Sequence, residues 1–172
     1  MQLQQEEQLF FAPASTATPQ GARLASKYRR EANFLKAFMT KKAAPVFEEL
    51  FRGGPAEARR RMKKVAKVDQ TPVTIYDPMI ERLFHQHKAG KFPDDGIIGE
   101  ELATTRFDRR MWTIDPIDGT ADFEEAGDHF GTLTALYADG APQVAAGYWP
   151  RLKLDDKKRK SLVTAQVDTP GI

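Results

Sequence analysis

The sequence predicts an α+β fold in which helices pack on a mainly antiparallel β-sheet. In the first half of the chain, apolar residues recur every three or four positions, as in amphipathic helices. In the second half, short β-branched and aromatic runs alternate with turns that contain Gly and Pro, as in strands joined by hairpins. With 172 residues, 41% of them hydrophobic, the chain can form one domain with a core of its own.

The composition excludes several classes of protein. No segment approaches the roughly 20 apolar residues that a transmembrane helix needs, so we expect no contact with a membrane. The chain has no cysteine, which excludes disulfides, thiolate metal sites and cysteine nucleophiles. It is also compatible with the reducing cytoplasm, where we expect the protein. Any metal ion must therefore be held by oxygen or histidine.

The charge balance does not favour a nucleic-acid-binding protein. The 26 basic and 24 acidic residues leave a formal net charge of +2, which is too small to indicate such a partner. Basic residues cluster at 59–67 and 157–160, but neither run has interleaved aromatic residues for base stacking. We interpret both runs as solvated surface, with a basic nucleic-acid-binding module as the less favoured alternative.

The helical half begins after a polar lead-in. Residues 1–22 combine Gln, Ser, Thr and Pro with little periodicity, which predicts a disordered tail. Helical spacing over 26–51, interrupted at Pro45, predicts one broken helix or two short ones. The pattern at 56–65 predicts a further, basic helix.

The next segment, KVDQTPVTIYD at 67–77, contains a β-branched run bounded by Pro72 and Asp77, which predicts a strand. A helix follows, with Asp77 as its cap, Pro78 at its first position and Gly90 at its end.

The remaining strands follow in quick succession. The segment FPDDGIIGEE reads as a turn, a short strand and two carboxylates, and MWTID, TLTALYA and QVAAGYW are three further strand candidates. The turn DGAP joins the last two candidates. Residues 151–172 predict a polar C-terminal tail, with at most one short strand near Leu162, so the folded domain is expected over 23–150.

Four carboxylates follow these predicted strands and could bind a hard cation such as Mg²⁺, which prefers oxygen ligands. Glu100 and Glu101 are adjacent, so they cannot both face one ion if the strand continues through them. Asp115 and Asp118 flank a proline turn that can bring both carboxylates and the carbonyl of Ile117 toward one point. Surface carboxylates in salt bridges are the alternative interpretation.

Gly119 and Thr120 begin a predicted helical turn directly after these carboxylates. Free N–H groups and the helix dipole at such a position favour a phosphate. The Thr120 hydroxyl, with Asp77 as its partner, is a candidate for orienting an attacking water molecule. Cations beside a phosphate-binding turn indicate phosphoryl transfer.

Three motifs in the right order and spacing resemble a known family. The GEE at 99–101, followed by WTIDPIDGTADF at 112–123, is similar to the paired signature of the inositol monophosphatase family of magnesium-dependent, lithium-sensitive phosphatases. KVDQTPVTIYD is similar to the family's upstream element, and HFGTLTALYADGAPQVAAGYWP looks most like the histidinol-phosphate phosphatase branch. The resemblance covers roughly 32–150 and implies the N-terminal lobe of a layered αβαβα sugar-phosphatase fold.

The resemblance also implies residue roles. Glu100, Asp115 and the Ile117 carbonyl would bind a first Mg²⁺, and Asp115 and Asp118 would bind a second. The motif includes Glu101 without fixing its role.

The same resemblance assigns the reacting groups. Asp77 and Thr120 would activate the water that attacks phosphorus directly, with no phosphoenzyme, and Glu100 would assist as a metal ligand. The amides of Gly119 and Thr120 would hold the substrate phosphate. The expected function is hydrolysis of a small phosphate ester such as histidinol phosphate or inositol monophosphate. The resemblance is also compatible with a homodimer.

The chain also departs from the family pattern. Ala126, Gly127 and Asp128 stand where a Gly-x-Pro is usual, and Tyr76 stands where an alanine usually precedes the aspartate. The second αβ lobe, with its Trp-Asp motif, has no counterpart in the sequence. We therefore expect exposed apolar surface where that lobe packs, and a truncated, non-catalytic metal-binding remnant is the alternative function.

Overall fold

The computed structural model of the protein describes residues 27–62, 64–66, 72–105, 109–155 and 158–166. The predicted N-terminal tail, 1–22, lies outside these residues.

The predicted broken helix is confirmed as two helices joined by a π-helical turn. Helix α1 spans Arg29–Phe38, the π turn spans Met39–Ala43, and α2 spans Ala44–Leu50. Pro45 lies in the first turn of α2. Because proline lacks an N–H group and its ring clashes with the carbonyl four residues earlier, a wider turn before it relieves both problems.

Helix α3 spans Pro55–Arg61, so the helix predicted over 56–65 ends earlier than expected. Residues Lys64–Ala66 instead form strand β1, which pairs antiparallel with β2 at Pro72–Thr74. The single strand predicted over 67–77 is thus only three residues long where the structure describes it, and β1 was missed.

Helix α4 spans Tyr76–Ala89 and begins slightly earlier than predicted. Ile75 is the N-cap, so Asp77 lies in the first turn and does not cap the helix. Gly90 is the C-cap, as predicted.

The main sheet has five strands in the order β3-β4-β5-β6-β7. Strands β3 and β4 are parallel, and the other pairs are antiparallel, so the prediction of a mainly antiparallel sheet is confirmed. A short helix, α5 at Thr120–Glu124, follows β4. The strands are β3 Gly96–Ile98, β4 Arg110–Asp118, β5 Gly131–Ala138, β6 Ala141–Asp155 and β7 Lys158–Gln166.

The turn between β5 and β6 lies where the sequence predicts it. Asp139 and Gly140 both have positive φ, 54° and 78°, as a tight hairpin turn requires.

The predicted boundary at residue 150 and the polar tail beyond it are wrong. Strand β6 continues to Asp155, and β7 pairs with it from Asp155↔Lys158 to Val144↔Gln166. The strand predicted near Leu162 is therefore present, but it is part of a nine-residue edge strand. The basic residues at 157–160 make this segment resemble a solvated tail in the sequence. Charged residues are, however, also common on strands at the edge of a sheet.

The core lies between the helices and one face of the sheet. Trp112, the third residue of β4, has no exposed surface, and its ring centroid lies 4.8 Å from that of Phe34 on α1. Its indole N–H donates to Asp95 at 2.8 Å, so the polar end of this large side chain is also satisfied. The other large, fully buried side chains include Phe38, Phe47, Phe84, Phe123 and Phe130.

The opposite face of the sheet carries a mainly apolar groove of about 590 Å³. Trp149 lies flat over Gly147, where an added Cβ would come within 2.4 Å of the indole. Residues of β3 to β6 and of the 99–100 loop line it, among them Ile98, Glu100, Asp115, Leu133 and Ala145. This groove agrees with the expected exposed apolar surface. No helix in the described part of the chain is long and apolar enough to cross a membrane.

Candidate active site

A bulge at the end of β4 places the two signature aspartates. Asp115 pairs with Leu133, whereas Asp118 pairs with Gly131, so β4 has one residue more than β5 between these two pairs. In a regular strand, residues three apart face opposite sides of the sheet. The extra residue reverses this alternation and turns both carboxylates toward the same region. The Thr132 hydroxyl stabilises the bulge by donating to the Pro116 carbonyl at 2.7 Å.

Asp115 is the electrostatic centre of the site. Burial, a hydrogen-bonded Glu100 carboxyl, and the charges of Asp118 and Asp77 raise the pKa of Asp115 from 3.8 to about 7. The structure thus places Glu100, Asp118 and Asp77 close enough for their charges to act on Asp115, and these four residues are called the acidic cluster. Like charges this close repel one another, which favours either a shared proton or a cation.

Asp77 reaches this cluster from the first turn of α4. It is 3% exposed, and burial raises its pKa, with the charge of Glu100 acting in the same direction. The backbone N–H and the hydroxyl of Thr74 both donate to its Oδ2, at 2.8 and 2.6 Å. The predicted hydroxyl partner, Thr120, instead donates to the Ile117 carbonyl at 2.9 Å. The contact between Asp77 and Thr120 is therefore still a prediction.

The residues fit a cation that prefers oxygen ligands. Asp115 Oδ1 is buried and has no hydrogen-bond partner, and the nearby groups that act on it are carboxylates. Within the described ranges, no three acidic or histidine side chains converge tightly enough to form a ready-made metal cage. Two carboxylates and a carbonyl, completed by water and phosphate oxygens, are nevertheless a usual Mg²⁺ environment.

The turn after Asp118 requires glycine for two reasons. Gly119 has φ 84°, in the left-handed region, and an added Cβ would lie 2.8 Å from the His129 carbonyl oxygen. Helix α5 then begins at Thr120, and the fully buried ring of Phe123 anchors it in the core. The Gly119 and Thr120 amides thus lie at the start of α5, where the sequence predicts phosphate binding.

Comparison with known proteins identifies the family. The model of the inositol monophosphatase family matches residues 31–167, which is most of the chain. The chain belongs to the inositol monophosphatase family. The resemblance that the three motifs indicate is thereby confirmed.

One curated relative in this family is the histidinol-phosphatase of Chlorobaculum parvum, which is 41% identical over 95 residues. The match covers 55% of this chain but only 37% of that relative. The chain thus spans well under half of the length of this curated relative.

Solved structures show the inositol monophosphatase fold. An inositol monophosphatase family protein from Staphylococcus aureus superposes with a TM-score of 0.63 at 22% identity, covering 83% of this chain and 48% of that one. An IMPase/NADP phosphatase complexed with Mg²⁺ and phosphate gives a TM-score of 0.56 at 23% identity, covering 73% and 44%. The expected partial lobe of the family fold is thereby confirmed.

The loop that departs from the family pattern is held by two arginines. Arg59 on α3 donates to the carbonyl of Glu125 at 2.7 Å. Arg151 on β6 donates to the carbonyl of Gly127 at 2.8 Å and pairs with Asp128, also at 2.8 Å. The substitution of the usual Gly-x-Pro therefore accompanies a loop fixed by charge-assisted hydrogen bonds.

Tyr76, the other departure, fills space between α4 and α5. Its ring packs edge-on against Phe123, with a centroid separation of 6.0 Å. The bulkier side chain thus contributes to the packing between α5 and the first turn of α4, which also carries Asp77.

Sequence reasoning missed Glu81, a fully buried carboxylate on α4. It accepts hydrogen bonds from the backbone N–H groups of Glu100, Glu101 and Leu102. The available signal was its position four residues after Asp77, between the apolar residues Ile80 and Phe84, because an acidic residue on the buried stripe of a helix needs partners.

Proposed function

We propose that this chain is the metal- and phosphate-binding half of a magnesium-dependent phosphomonoesterase. The observation that carries the proposal is Asp115, a carboxyl whose buried oxygen lacks a partner and whose neighbours are the acidic groups Glu100, Asp118 and Asp77. Relatives in the family are named phosphatases, and one structural neighbour is complexed with Mg²⁺ and phosphate.

In this proposal, Glu100, Asp115 and the Ile117 carbonyl would hold one Mg²⁺, and Asp115 and Asp118 would hold a second. Mg²⁺ held by these residues would supply positive charge beside the phosphate oxygens. Because the pKa of Asp115 is raised to about 7, its carboxyl would have to lose a proton before a cation binds, so the affinity for Mg²⁺ should increase as pH rises through 7.

The chain's own groups orient the reactants. The amides of Gly119 and Thr120 donate to the substrate phosphate at the start of α5. Asp77, which Thr74 holds in place, would accept the proton of the attacking water, and the Thr120 hydroxyl would orient that water. The water oxygen would bond to phosphorus as the bond from phosphorus to the ester oxygen breaks, and the ester oxygen would take a proton from solvent and leave as an alcohol. No phosphoenzyme would form.

The proposed substrate is a small phosphate ester, with histidinol phosphate first because the C. parvum relative is a named histidinol-phosphatase. Inositol monophosphate is the second choice. We also propose a cytoplasmic location and, as for many proteins of the family, a homodimer. The basic run at 59–67 offers little support for nucleic-acid binding. Arg59 pairs with Glu125, and Arg60 and Arg61 pair with Glu57.

The test measures phosphate release from histidinol phosphate, inositol monophosphate and 3′-phosphoadenosine 5′-phosphate, with Mg²⁺, with and without Li⁺. Asp118→Asn is the site variant, and Asp94→Asn, at an exposed carboxylate outside the site, is the matched control. Release that requires Mg²⁺ and disappears with Li⁺ and in Asp118→Asn supports the enzyme. Calorimetric Mg²⁺ binding without release supports the alternative, a non-catalytic remnant, whereas absence of both rejects the metal site.

A further inference from the structure

Glu81 is a buried carboxylate outside the predicted set of site residues. Its side chain has no exposed surface. Oε2 accepts from the N–H groups of Glu100 at 3.1 Å and Glu101 at 2.8 Å, and Oε1 accepts from the N–H of Leu102 at 3.0 Å. One carboxylate therefore binds three successive amides of the loop that follows β3, and such charge-assisted bonds are stronger than neutral ones.

The loop approaches this carboxylate as closely as a glycine permits. A Cβ at Gly99 would lie 1.6 Å from Glu81 Oε1 and 2.4 Å from its carboxyl carbon. Any side chain at this position must displace the carboxylate from the three amides. The first residue of the GEE motif is thus explained by Glu81, a residue 18 positions earlier in the sequence.

Helix α4 connects this contact to the acidic cluster. Asp77 and Glu81 are four residues apart, so they lie on the same face of the helix. Asp77 belongs to the cluster, and Glu81 holds the backbone of Glu100, whose carboxyl is hydrogen-bonded to Asp115. Helix α4 therefore sets the distance between Asp77 and the loop that carries Glu100.

We propose that Glu81 is a positioning residue for the metal site, which fixes the loop of Glu100 relative to Asp77 and Asp115. The proposal rests on the proposed function, because it assumes that Glu100 and Asp115 bind Mg²⁺. Because both of its oxygens accept from backbone amides, Glu81 itself would contact neither ion nor substrate. It acts as an orienting partner one step behind a ligand, and the loss of such partners typically weakens metal binding 10- to 100-fold.

The test uses Glu81→Gln, which keeps the size of the side chain but turns an amide NH₂ toward backbone donors. Hydrogen exchange at amides 100–102 should accelerate about tenfold or more, since at least one N–H loses its acceptor. The Kd for Mg²⁺, measured by calorimetry at a pH where the wild type is saturable, should rise about tenfold. In active protein, the Mg²⁺ concentration for half-maximal rate should rise more than the KM for the ester.

Glu31→Gln is the matched control. Glu31 is also a buried carboxylate, 7% exposed, but its partner is Arg110 at 2.9 Å, outside the acidic cluster. The Glu31→Gln variant should have a lower free energy of unfolding than the wild type and the same affinity for Mg²⁺. Gly99→Ala is the second variant, because it displaces the Glu81 carboxylate without altering it, and it should weaken Mg²⁺ binding as Glu81→Gln does.

The outcomes separate the two proposals. Wild-type Mg²⁺ affinity in folded Glu81→Gln, or in Gly99→Ala if the first variant does not fold, would overturn the positioning role and leave the proposed function intact. An equal loss of affinity in Glu31→Gln would also overturn it, since the effect would then follow from general destabilisation. A wild-type chain that binds no Mg²⁺ would overturn the proposed function, and the positioning role with it.

Discussion

Thr120 Oγ1 donates a hydrogen bond to the carbonyl oxygen of Ile117 at 2.9 Å. The residue predicted to orient water thus binds the carbonyl predicted to hold a metal ion. This bond closes the bulged end of β4 onto the first turn of α5. A change at Thr120 should therefore also affect the position of the Ile117 carbonyl.

Replacing Thr120 by Val should lower the free energy of unfolding of the metal-free protein by about 1 kcal/mol. Valine has nearly the same size as threonine but lacks the hydroxyl that donates to the Ile117 carbonyl. Thr120→Ser keeps the hydroxyl and should lose less. Urea denaturation followed by circular dichroism measures both values. Equal stability of the Val variant and the wild type would show that the bond contributes nothing.

Asp115→Asn should stabilise the metal-free protein at pH 8 and not at pH 4. The pKa of Asp115 is raised to about 7 in the folded protein, against 3.8 as the ordinary value. Between these two values the folded state holds a proton that the unfolded state has released, so the wild type becomes more stable as pH falls from 8 to 4. After allowance for solvent around this partly exposed group, the gain of the variant at pH 8 should be about 1–2 kcal/mol.

Urea denaturation of both proteins across this pH range provides the measurement. Mg²⁺ should reverse the order at pH 8, since it stabilises only the protein that binds it. A variant that is still stabilised by Mg²⁺ as much as the wild type would contradict the assignment of Asp115 as a ligand.

Gly119→Ala should lower the free energy of unfolding by about 1–3 kcal/mol, because the site combines positive φ with a contact at 2.8 Å. The matched control is Gly140→Ala, which has a similar φ of 78° and nothing within 4 Å of an added Cβ. The control isolates the backbone strain, so the difference between the variants measures the contact with the His129 carbonyl. We expect Gly119→Ala to lower the melting temperature more than Gly140→Ala does. The reverse order would show that the contact with the His129 carbonyl does not destabilise the Gly119 variant.

The wild-type protein should lose stability as pH falls below about 6.5 because of His87, and the His87→Phe variant should not show this loss. Burial lowers the pKa of His87 from the ordinary 6.5, and its ring stacks on Phe34 at 4.6 Å. The unfolded chain then takes up a proton before the folded one does, which favours unfolding at lower pH. Phenylalanine preserves the stacking and does not titrate.

The difference in free energy between the His87 variant and the wild type isolates this effect from that of Asp115, which has the opposite sign. Gln86→Ala, at an exposed neighbour on the same helix, is the control. A difference that does not change between pH 7.5 and 5.5 would contradict the prediction.

The sequence predicts those parts of the molecule that local chemistry determines. Pro45 interrupts the first helical segment, Gly90 ends α4, and Asp139 with Gly140 forms the hairpin turn, because each feature depends on the backbone conformations open to its own residues. The acidic cluster is also predictable, since its members lie in recognisable motifs.

Features that depend on distant partners are not predictable in this way. Strand β7 pairs with β6, although its own residues are polar enough to suggest a tail. Glu81 is equally hidden, because its three partners lie about twenty residues later. The bond from Thr120 to Ile117 is local, but the sequence pattern does not show which of several nearby acceptors a threonine hydroxyl takes.

The groove on the open sheet face gives the protein two optically distinct reporters. The chain has two tryptophans. Trp112 is wholly buried on the helix side, whereas Trp149 is partly exposed and lines the groove together with Asp115. A soluble quencher such as acrylamide therefore reaches one indole and not the other. The quenchable fraction of the emission reports on the groove beside the acidic cluster, and the unquenchable fraction reports on the core.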